Sequence, residues 1–284
     1  MTPGAILRAQ LAKGAVIAPG AYDALSARIA AKAGAKAVYM SGFGIAGSLL
    51  GVPDIGLVSA TEMIERVRAL SAACAPAPLI ADGDNGYGGP LNVVRLVRAY
   101  EQAGAAAIQL EDQVMPKRCG HMDGKEIVPR NEAVAKIKAA VAARAAKDFV
   151  VIARTDAISV AGLDEALHRA DAFLRAGADV LFVEAPRSGS DLRAIADRFK
   201  GVPLVANMVE GGKTPVLDAK TLAEMGYRLI LYPVAALLAV TRTLERAYAS
   251  VGTDGLDRVS FDAYCDLVGL PAYLAKADKL VKPQ

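Results

Sequence analysis

Eight short runs of β-type residues recur along this 284-residue chain, each followed by a longer, alanine-rich stretch with helical spacing. The runs are AVIAP (15–19), KAVYMS (36–41), APLIAD (77–82), AAIQLE (106–111), FVVIAR (149–154), DVLFVE (179–184), VPLVAN (202–207) and RLILYP (228–233). They are apolar on both faces, which predicts strands of a parallel sheet wrapped by helices. Several entries into a run repeat one pattern: KAGAKAV at Gly34, QAGAAAI at Gly104, RAGADVL at Gly177 and EMGYRLI at Gly226. Glycine there fits the left-handed residue that stops a helix before the chain turns into a buried strand. Eight strand–helix units match a (β/α)8 barrel of the TIM type better than an open sheet. No GxGxxG follows the first run, which removes the main reason to prefer a dinucleotide-binding fold.

Past residue 241 come TRTLERAYASV and FDAYCDLVGLPAYLAKADKL, separated by the turn-rich GTDGLD. These helical segments exceed what a minimal barrel needs. No linker of domain-separating composition precedes them, so the expectation is a single α/β domain over 1–284 with a C-terminal helical extension from about 242. The N-terminal stretch has no apolar h-region. The longest apolar run, LILYPVAALLAV (229–240), is broken by Pro233 and falls short of the roughly 20 residues a bilayer span requires. Cys74, Cys119 and Cys265 are odd in number and scattered, which argues against a disulfide framework or a structural zinc site. The 33 cations barely exceed the 30 anions and form no run, so neither nucleic acid nor membrane is an expected partner. The expectation is a reduced, cytoplasmic protein.

Catalytic groups of such barrels gather at the C-terminal ends of the strands. Here the runs end on Ser41, Asp82, Glu111, Arg154, Glu184 and Asn207. In DGDNGYGG (82–89), Asp82 and Asp84 are close enough to repel unless a cation lies between them. Mg²⁺ is commonly held by one or two carboxylates plus waters and substrate oxygens, although DGDNG is equally the composition of a turn. Glu111 and Asp112 end the fourth run, so neighbouring strand ends could bring four carboxylates together. After that run, PKRCGHMDGKEIVP (116–129) sets Cys119 among Lys117, Arg118 and His121. Nearby cations favour a thiolate and a reactive cysteine, but an inert packing cysteine is the commoner case. Arg154 in ARTDA could clamp a carboxylate in two-pronged fashion, or pair with Asp156 or a barrel-rim glutamate. His168 reads as a residue on a solvent-facing helix side.

Together the stretches YMSGF (39–43), GVPDIGLVSATEM (51–63), ADGDNGYGG (81–89), QLEDQVMPKRCGH (109–121), ARTDA (153–157), FVEAP (182–186) and NMVEGGKTP (207–215) resemble the isocitrate lyase/phosphoenolpyruvate mutase superfamily. They occur in family order and span most of the chain up to about residue 240. The resemblance implies a modified (β/α)8 barrel, usually a homotetramer whose last helix is exchanged between subunits. It implies a Mg²⁺ site, with Mn²⁺ as a substitute, at Asp82, Asp84 and Glu111, some contacts passing through water. Ser41, Gly42 and Phe43 look like the loop that holds an α-keto or α-hydroxy carboxylate, and Asp54 like the acidic residue of the second loop. Arg154, Glu184 and Asn207 look like substrate-positioning groups. Lys117, Cys119, Gly120 and His121 lie on what resembles a mobile lid, with Cys119 as proton donor, and Tyr39 is a candidate base for the substrate hydroxyl.

Within the superfamily, the cysteine favours C–C lyases. The lid and SLLGVPDIGLVSATEM look closest to the 2,3-dimethylmalate lyase and petal-death-protein branch. Methylisocitrate lyases share KRCGH but carry glycine where this chain has Phe43, and an arginine where it has Leu238. The resemblance therefore implies an alkylmalate-like dicarboxylate as substrate, cleaved to pyruvate or glyoxylate and a second carboxylate. A methylisocitrate lyase, an oxaloacetate decarboxylase or hydrolase, and a phosphonopyruvate-type enzyme similar to carboxyvinyl-carboxyphosphonate phosphorylmutase are the enzymatic alternatives. A barrel with a degenerate site, serving only to bind, is the non-enzymatic one.

Overall fold

All eight expected strands form, as β1 (Val16–Ala21), β2 (Val38–Met40), β3 (Leu79–Asp82), β4 (Ala107–Glu111), β5 (Val150–Thr155), β6 (Val180–Val183), β7 (Val205–Asn207) and β8 (Leu229–Tyr232). The chain is described by a computed structural model over residues 1–253 and 257–281; Asp254, Gly255 and Leu256 of the expected GTDGLD turn lie outside the described residues. Every strand pairing is parallel, in the order β6-β5-β4-β3-β2-β1-β8-β7. A parallel bridge between Leu181 of β6 and Leu204, just before β7, brings the two ends together. The result is a nearly closed (β/α)8 barrel with helices around it. The glycines expected to stop helices do so, at φ of 90° for Gly34, 96° for Gly104, 98° for Gly177 and 112° for Gly226.

Two buried layers explain how the barrel stands. Leu7, Leu11, Val16, Ile80, Ala107, Val150, Ile152, Val180, Phe182, Val205 and Leu229 pack together inside it. Leu7 and Leu11 come from the helix Pro3–Lys13, whose start is capped by Thr2 Oγ1 accepting from Ala5 N at 3.1 Å. A second, larger layer lies between strands and outer helices, with Val38, Met40, Leu79, Ile108, Leu110, Val151 and Leu181 on the strand side. The two layers take alternate residues of each strand, as side chains of a strand alternate between faces.

That alternation builds the site. Following the inner face upward, Ala107 leads to Gln109 and Glu111, Val150 to Ile152 and Arg154, Val180 to Phe182 and Glu184. The same step carries Ile80 to Asp82 and Val205 to Asn207. An apolar floor thus becomes a charged ceiling within one barrel. Strand registry sets neighbours across it, pairing Asp82 with Gln109, Glu111 with Arg154, and Arg154 with Phe182. The Arg154 guanidinium lies 5.1 Å from the Phe182 ring centre, over the ring face.

The chain divides by contacts into two compact units, Met1–Leu237, which holds the barrel, and Leu238–Gln284. The second contains the helices Phe261–Val268 and Leu270–Val281, divided by Gly269 at φ 86°. Among the described residues no helix is long and apolar enough to cross a membrane.

Candidate active site

Two groups of buried charges meet at the C-terminal end of the barrel. The first surrounds Asp82 and Asp84. Asp82 Oδ1 accepts from Asp84 N at 3.1 Å and Gln109 Nε2 at 3.3 Å, and its Oδ2 accepts from Gly42 N at 3.1 Å. Asp84 and Tyr87 sit in the left-handed region, at φ 46° and 56°, conformations that non-glycine residues keep only where the surroundings force them. Tyr87 donates its hydroxyl to Asp84 Oδ2 at 2.6 Å. Lys117 reaches in from the loop after β4 and sets its Nζ 2.5 Å from Asp54 Oδ1 and 2.6 Å from Asp84 Oδ1. Burial disfavours its charge, but Asp84 and Asp54 outweigh that and raise its pKa well above the ordinary lysine value.

The second group is organised by Arg154. Its Nε donates to Asp156 Oδ2 at 2.9 Å and its Nη2 to Asp156 Oδ1 at 3.0 Å. Its Nε also lies 3.3 Å from Glu111, and its Nη1 lies 3.8 Å from Glu184. Burial alone would raise the Asp156 and Glu184 carboxyls, but the guanidinium overrides it and holds both below their usual range. His121 closes this group. Its Nδ1 accepts from Lys213 N at 3.0 Å, which leaves the ring proton on Nε2, 3.1 Å from Glu184 Oε1. Asn207 Nδ2 lies 3.3 Å from Glu184 Oε2 and 3.5 Å from His121 Nε2. Tyr39, between the groups, donates to Gln109 Oε1 at 3.1 Å. Burial and the Asp82 charge raise its phenol well above the usual value, so Tyr39 holds its proton and is suited to donate, not to act as the base expected from the sequence.

The lid segment lies over both groups. Cys119 N donates to Asp54 O at 3.2 Å, and Met122 N to Cys119 O at 2.9 Å. Gly120 rests so close that a Cβ there would come 2.4 Å from Arg154 Nη2 and 2.8 Å from Glu184 Cγ. Ser41 is buried and caps the short turn Gly42–Ile45 through Gly44 N at 3.4 Å; Phe43, in that turn, is half-buried. The Gly42 N–H expected to receive a substrate carboxylate is bonded to Asp82 here.

Besides Tyr39, two expectations are corrected. Asp112 does not join the carboxylate cluster. It follows Glu111 in the strand direction and so points to the opposite face, where it accepts from Thr155 Oγ1 at 2.7 Å, Asp156 N at 2.9 Å and Arg169 Nη1 at 3.0 Å. Nor do the preceding cations make Cys119 a thiolate. Lys117 is engaged by Asp54 and Asp84, and Arg118 donates from Nη1 to Asp123 O at 3.0 Å. Burial dominates instead and pushes the Cys119 thiol up to about 11. His168 is exposed, as expected. Asp156 is the partner of Arg154 that ARTDA offered; sequence reasoning missed Gln109, Tyr87 and Lys125, of which the period-2 step back from Glu111 marks Gln109 and no sequence pattern marks the other two.

The donor set bears on a divalent cation. Glu111 Oε1 is buried with no hydrogen-bond partner among the described residues. Burial, and then Asp84, raise Asp82 to about 6, and burial raises Glu111 well above the carboxylate range. The cluster therefore holds more buried negative charge than the protein alone neutralises. Among the described residues no three Asp, Glu, His or Cys side chains converge tightly enough to chelate one ion directly. The residues fit an ion that keeps several waters, the habit of Mg²⁺, and not a closed protein cage.

Comparison with known proteins places these features in context. The phosphoenolpyruvate phosphomutase family model matches residues 7–252. The chain is 46% identical over 261 residues to 2,3-dimethylmalate lyase of Eubacterium barkeri, covering 90% of each. It is 43% identical over 237 residues to 2-methylisocitrate lyase of Bacillus subtilis, covering 84% of this chain and 77% of the relative. Its structure is similar to that of a 2,3-dimethylmalate lyase, with TM-score 0.95, 38% identity and coverage of 99% and 96%. An oxaloacetate acetylhydrolase bound to 3,3-difluorooxalacetate is similar too, with TM-score 0.95, 34% identity and coverage of 99% and 98%. A phosphonopyruvate hydrolase in complex with oxalate and Mg²⁺ has TM-score 0.86, 34% identity and coverage of 99% and 100%.

Proposed function

The chain belongs to the phosphoenolpyruvate phosphomutase family, and from that premise we propose that it is a carbon–carbon lyase acting on a 2-hydroxy dicarboxylate of the alkylmalate class. The observation that carries this reading is the half-buried Cys119 on a lid whose next residue, Gly120, rests against Arg154 and Glu184. In the reaction, the bond between C2 and C3 breaks as a rim carboxylate takes the proton of the C2 hydroxyl. C2 becomes the carbonyl of an α-keto acid, and the electron pair goes to C3 as the enolate of the second carboxylate. The Cys119 S–H then delivers a proton to C3, releasing a saturated acid. After product release solvent carries the hydroxyl proton from the rim carboxylate back to the Cys119 thiolate. 2,3-Dimethylmalate would give pyruvate and propionate.

Each residue then has a chemical task. Asp82, Asp84 and Glu111 would hold Mg²⁺, and Mn²⁺ as a substitute. When bound, the ion supplies Lewis-acid polarisation of the substrate's hydroxyl and carboxylate oxygens. Arg154 Nη1, the guanidinium nitrogen that Asp156 does not engage, positions a substrate carboxylate with help from Asn207 and His121. Ser41, Gly42 and Phe43 border the other carboxylate. Lys117 balances the charge of Asp54 and Asp84, which keeps the closed lid attracted to an anionic site. The thiol near 11 stays protonated at neutral pH, the state a proton donor needs. A closed lid keeps water from protonating the enolate first.

The oxaloacetate acetylhydrolase, equal in TM-score to the dimethylmalate lyase, supports a second reading, hydrolysis of oxaloacetate. A panel of alkylmalates, methylisocitrate and oxaloacetate, followed by coupled detection of pyruvate, glyoxylate and acetate with Mg²⁺ present, separates the two. Keto acid from an alkylmalate supports the lyase; turnover of oxaloacetate alone overturns it. The exposed Phe261, Tyr273 and Leu280 of the C-terminal helices support a homo-oligomer, with a tetramer expected in light scattering, and the three free thiols suit a cytoplasmic setting.

A further inference from the structure

The lid is tied down by a side chain with no part in the chemistry proposed above. Lys125 has a side chain only 1% exposed. Its Nζ donates to Gly120 O at 2.5 Å and to Asp156 Oδ1 at 2.7 Å. Asp156 is the same carboxylate that receives Arg154 in two-pronged fashion, and its own N–H is held by Asp112 Oδ1 at 2.9 Å. The Lys125 ammonium thus bridges a braced part of the barrel and the carbonyl of Gly120, next to Cys119. An ammonium buried this deeply persists only where acceptors are arranged for it, and one of the two chosen acceptors is lid backbone.

The other lid contacts are of a different kind. Lys117 rests on Asp54 and Asp84, and His121 on Glu184; these partners face ion and substrate, so binding rearranges their charge. Gly120 O carries no charge to rearrange, and Asp156 Oδ1 meets the site only through Arg154. We propose that Lys125 is a positioning residue, a latch that fixes the Gly120 carbonyl to the Arg154–Asp156 pair and so sets the Cys119 thiol in place. The latch rests on the lyase reading only in the role of Cys119 as proton donor.

The test is alkylation of Cys119 by iodoacetamide without substrate, read by peptide mass mapping from pH 7 to 10, in native protein, Lys125→Met and Lys125→Arg. Released from the latch, Cys119 of Lys125→Met alkylates at least tenfold faster at pH 8, and its rate profile shifts to lower pH. Cys74, fully buried in the outer core, stays unreactive. With a cleaved substrate in hand, kcat falls at least tenfold while KM changes less than threefold, and Lys125→Arg recovers part of both effects. If Lys125→Met does not fold, Lys125→Gln, whose shorter amide reaches only one acceptor, shows the same changes at smaller size. A native alkylation rate in the variant overturns the latch. So does equal reactivity of Cys74, which marks general loosening. Because alkylation needs no substrate, a protein that cleaves no alkylmalate sinks the lyase reading and leaves this result standing on its own.

Discussion

Glu111 and Asp112 are chain neighbours for which the structure predicts opposite consequences. Asp112→Ala removes the acceptor of Thr155 Oγ1, Asp156 N and Arg169 Nη1, at 2.7, 2.9 and 3.0 Å. A buried donor left without an acceptor costs about 1–3 kcal/mol, and breaking a buried ion pair costs about 3–5 kcal/mol. The terms overlap, and Arg169 keeps Glu165 Oε1 at 2.8 Å and Val128 O at 2.9 Å, so the loss belongs at about 3–4 kcal/mol. At roughly 2–4 °C per kcal/mol for a chain of this size, Tm falls by roughly 6–16 °C. Mg²⁺ affinity, measured by calorimetric titration at a temperature where both proteins are folded, changes by less than about threefold because Asp112 faces the outer helices. Glu111→Gln reverses the pattern. Its carboxylate carries an unpartnered buried oxygen and a raised pKa, so Tm stays within roughly 3 °C of native while Mg²⁺ affinity falls at least about tenfold. An Asp112→Ala protein with native Tm and lost metal affinity would refute the strand-parity reasoning and restore Asp112 to the cluster.

Cys119→Ser should lower kcat by about 10²–10⁴, the usual worth of a positioned proton donor, with Tm unchanged; near-native turnover would remove the thiol from the reaction. Gly120→Ala puts a Cβ 2.4 Å from Arg154 Nη2, and the displaced lid should cost about 10² in kcat, against a native rate if the lid does not seat as described. Asp82 titrates at about 6 in the fold against 3.8 when free, so the native state takes up its proton first and metal-free stability rises as pH falls through about 6. At about 1.4 kcal/mol per pH unit the full gain, on the order of 2–3 kcal/mol, is reached only near pH 4; just under about 1 kcal/mol of it falls between pH 7.5 and 5.5, visible as a Tm a few degrees higher at pH 5.5 than 7.5 in chelator and suppressed by excess Mg²⁺. A chelator Tm that is flat or lower at pH 5.5 contradicts it.

The barrel was legible because its determinants are local and repeated. Glycine at Gly34, Gly104, Gly177 and Gly226 announced helix ends that the backbone adopts at positive φ, and unalternated apolar runs announced strands buried on both sides. The strand-end residues followed from the same reading, since a parallel barrel presents them at one rim. Pairing within the rim was less legible. Glu111 and Asp112 differ only by parity, and treating both as rim carboxylates overlooked that a strand sends successive side chains to opposite faces. Lys125 escaped for another reason: it is one charged residue among many, and only the folded loop carries Gly120 O to within 2.5 Å of the Lys125 ammonium.

The thiol shows why charge near in sequence is a poor guide to charge near in space. KRC suggests a cysteine activated by cations, yet Lys117 is turned into Asp54 and Asp84, and Arg118 holds its own loop through Asp123 O. Around Cys119 burial outweighs the His121 N–H and the Arg154 charge, which favour the anion, and so disfavours it on balance. A nucleophilic mechanism would be hindered by that balance. A mechanism that ends by protonating a carbon needs it, because only a thiol that keeps its proton until the enolate forms can deliver it there. In the proposed reaction the cations and the thiol would divide the work of the lid: Lys117 answers the charge of Asp54 and Asp84, Lys125 would fix the Gly120 carbonyl, and a protonated Cys119 would be left to face the reacting carbon.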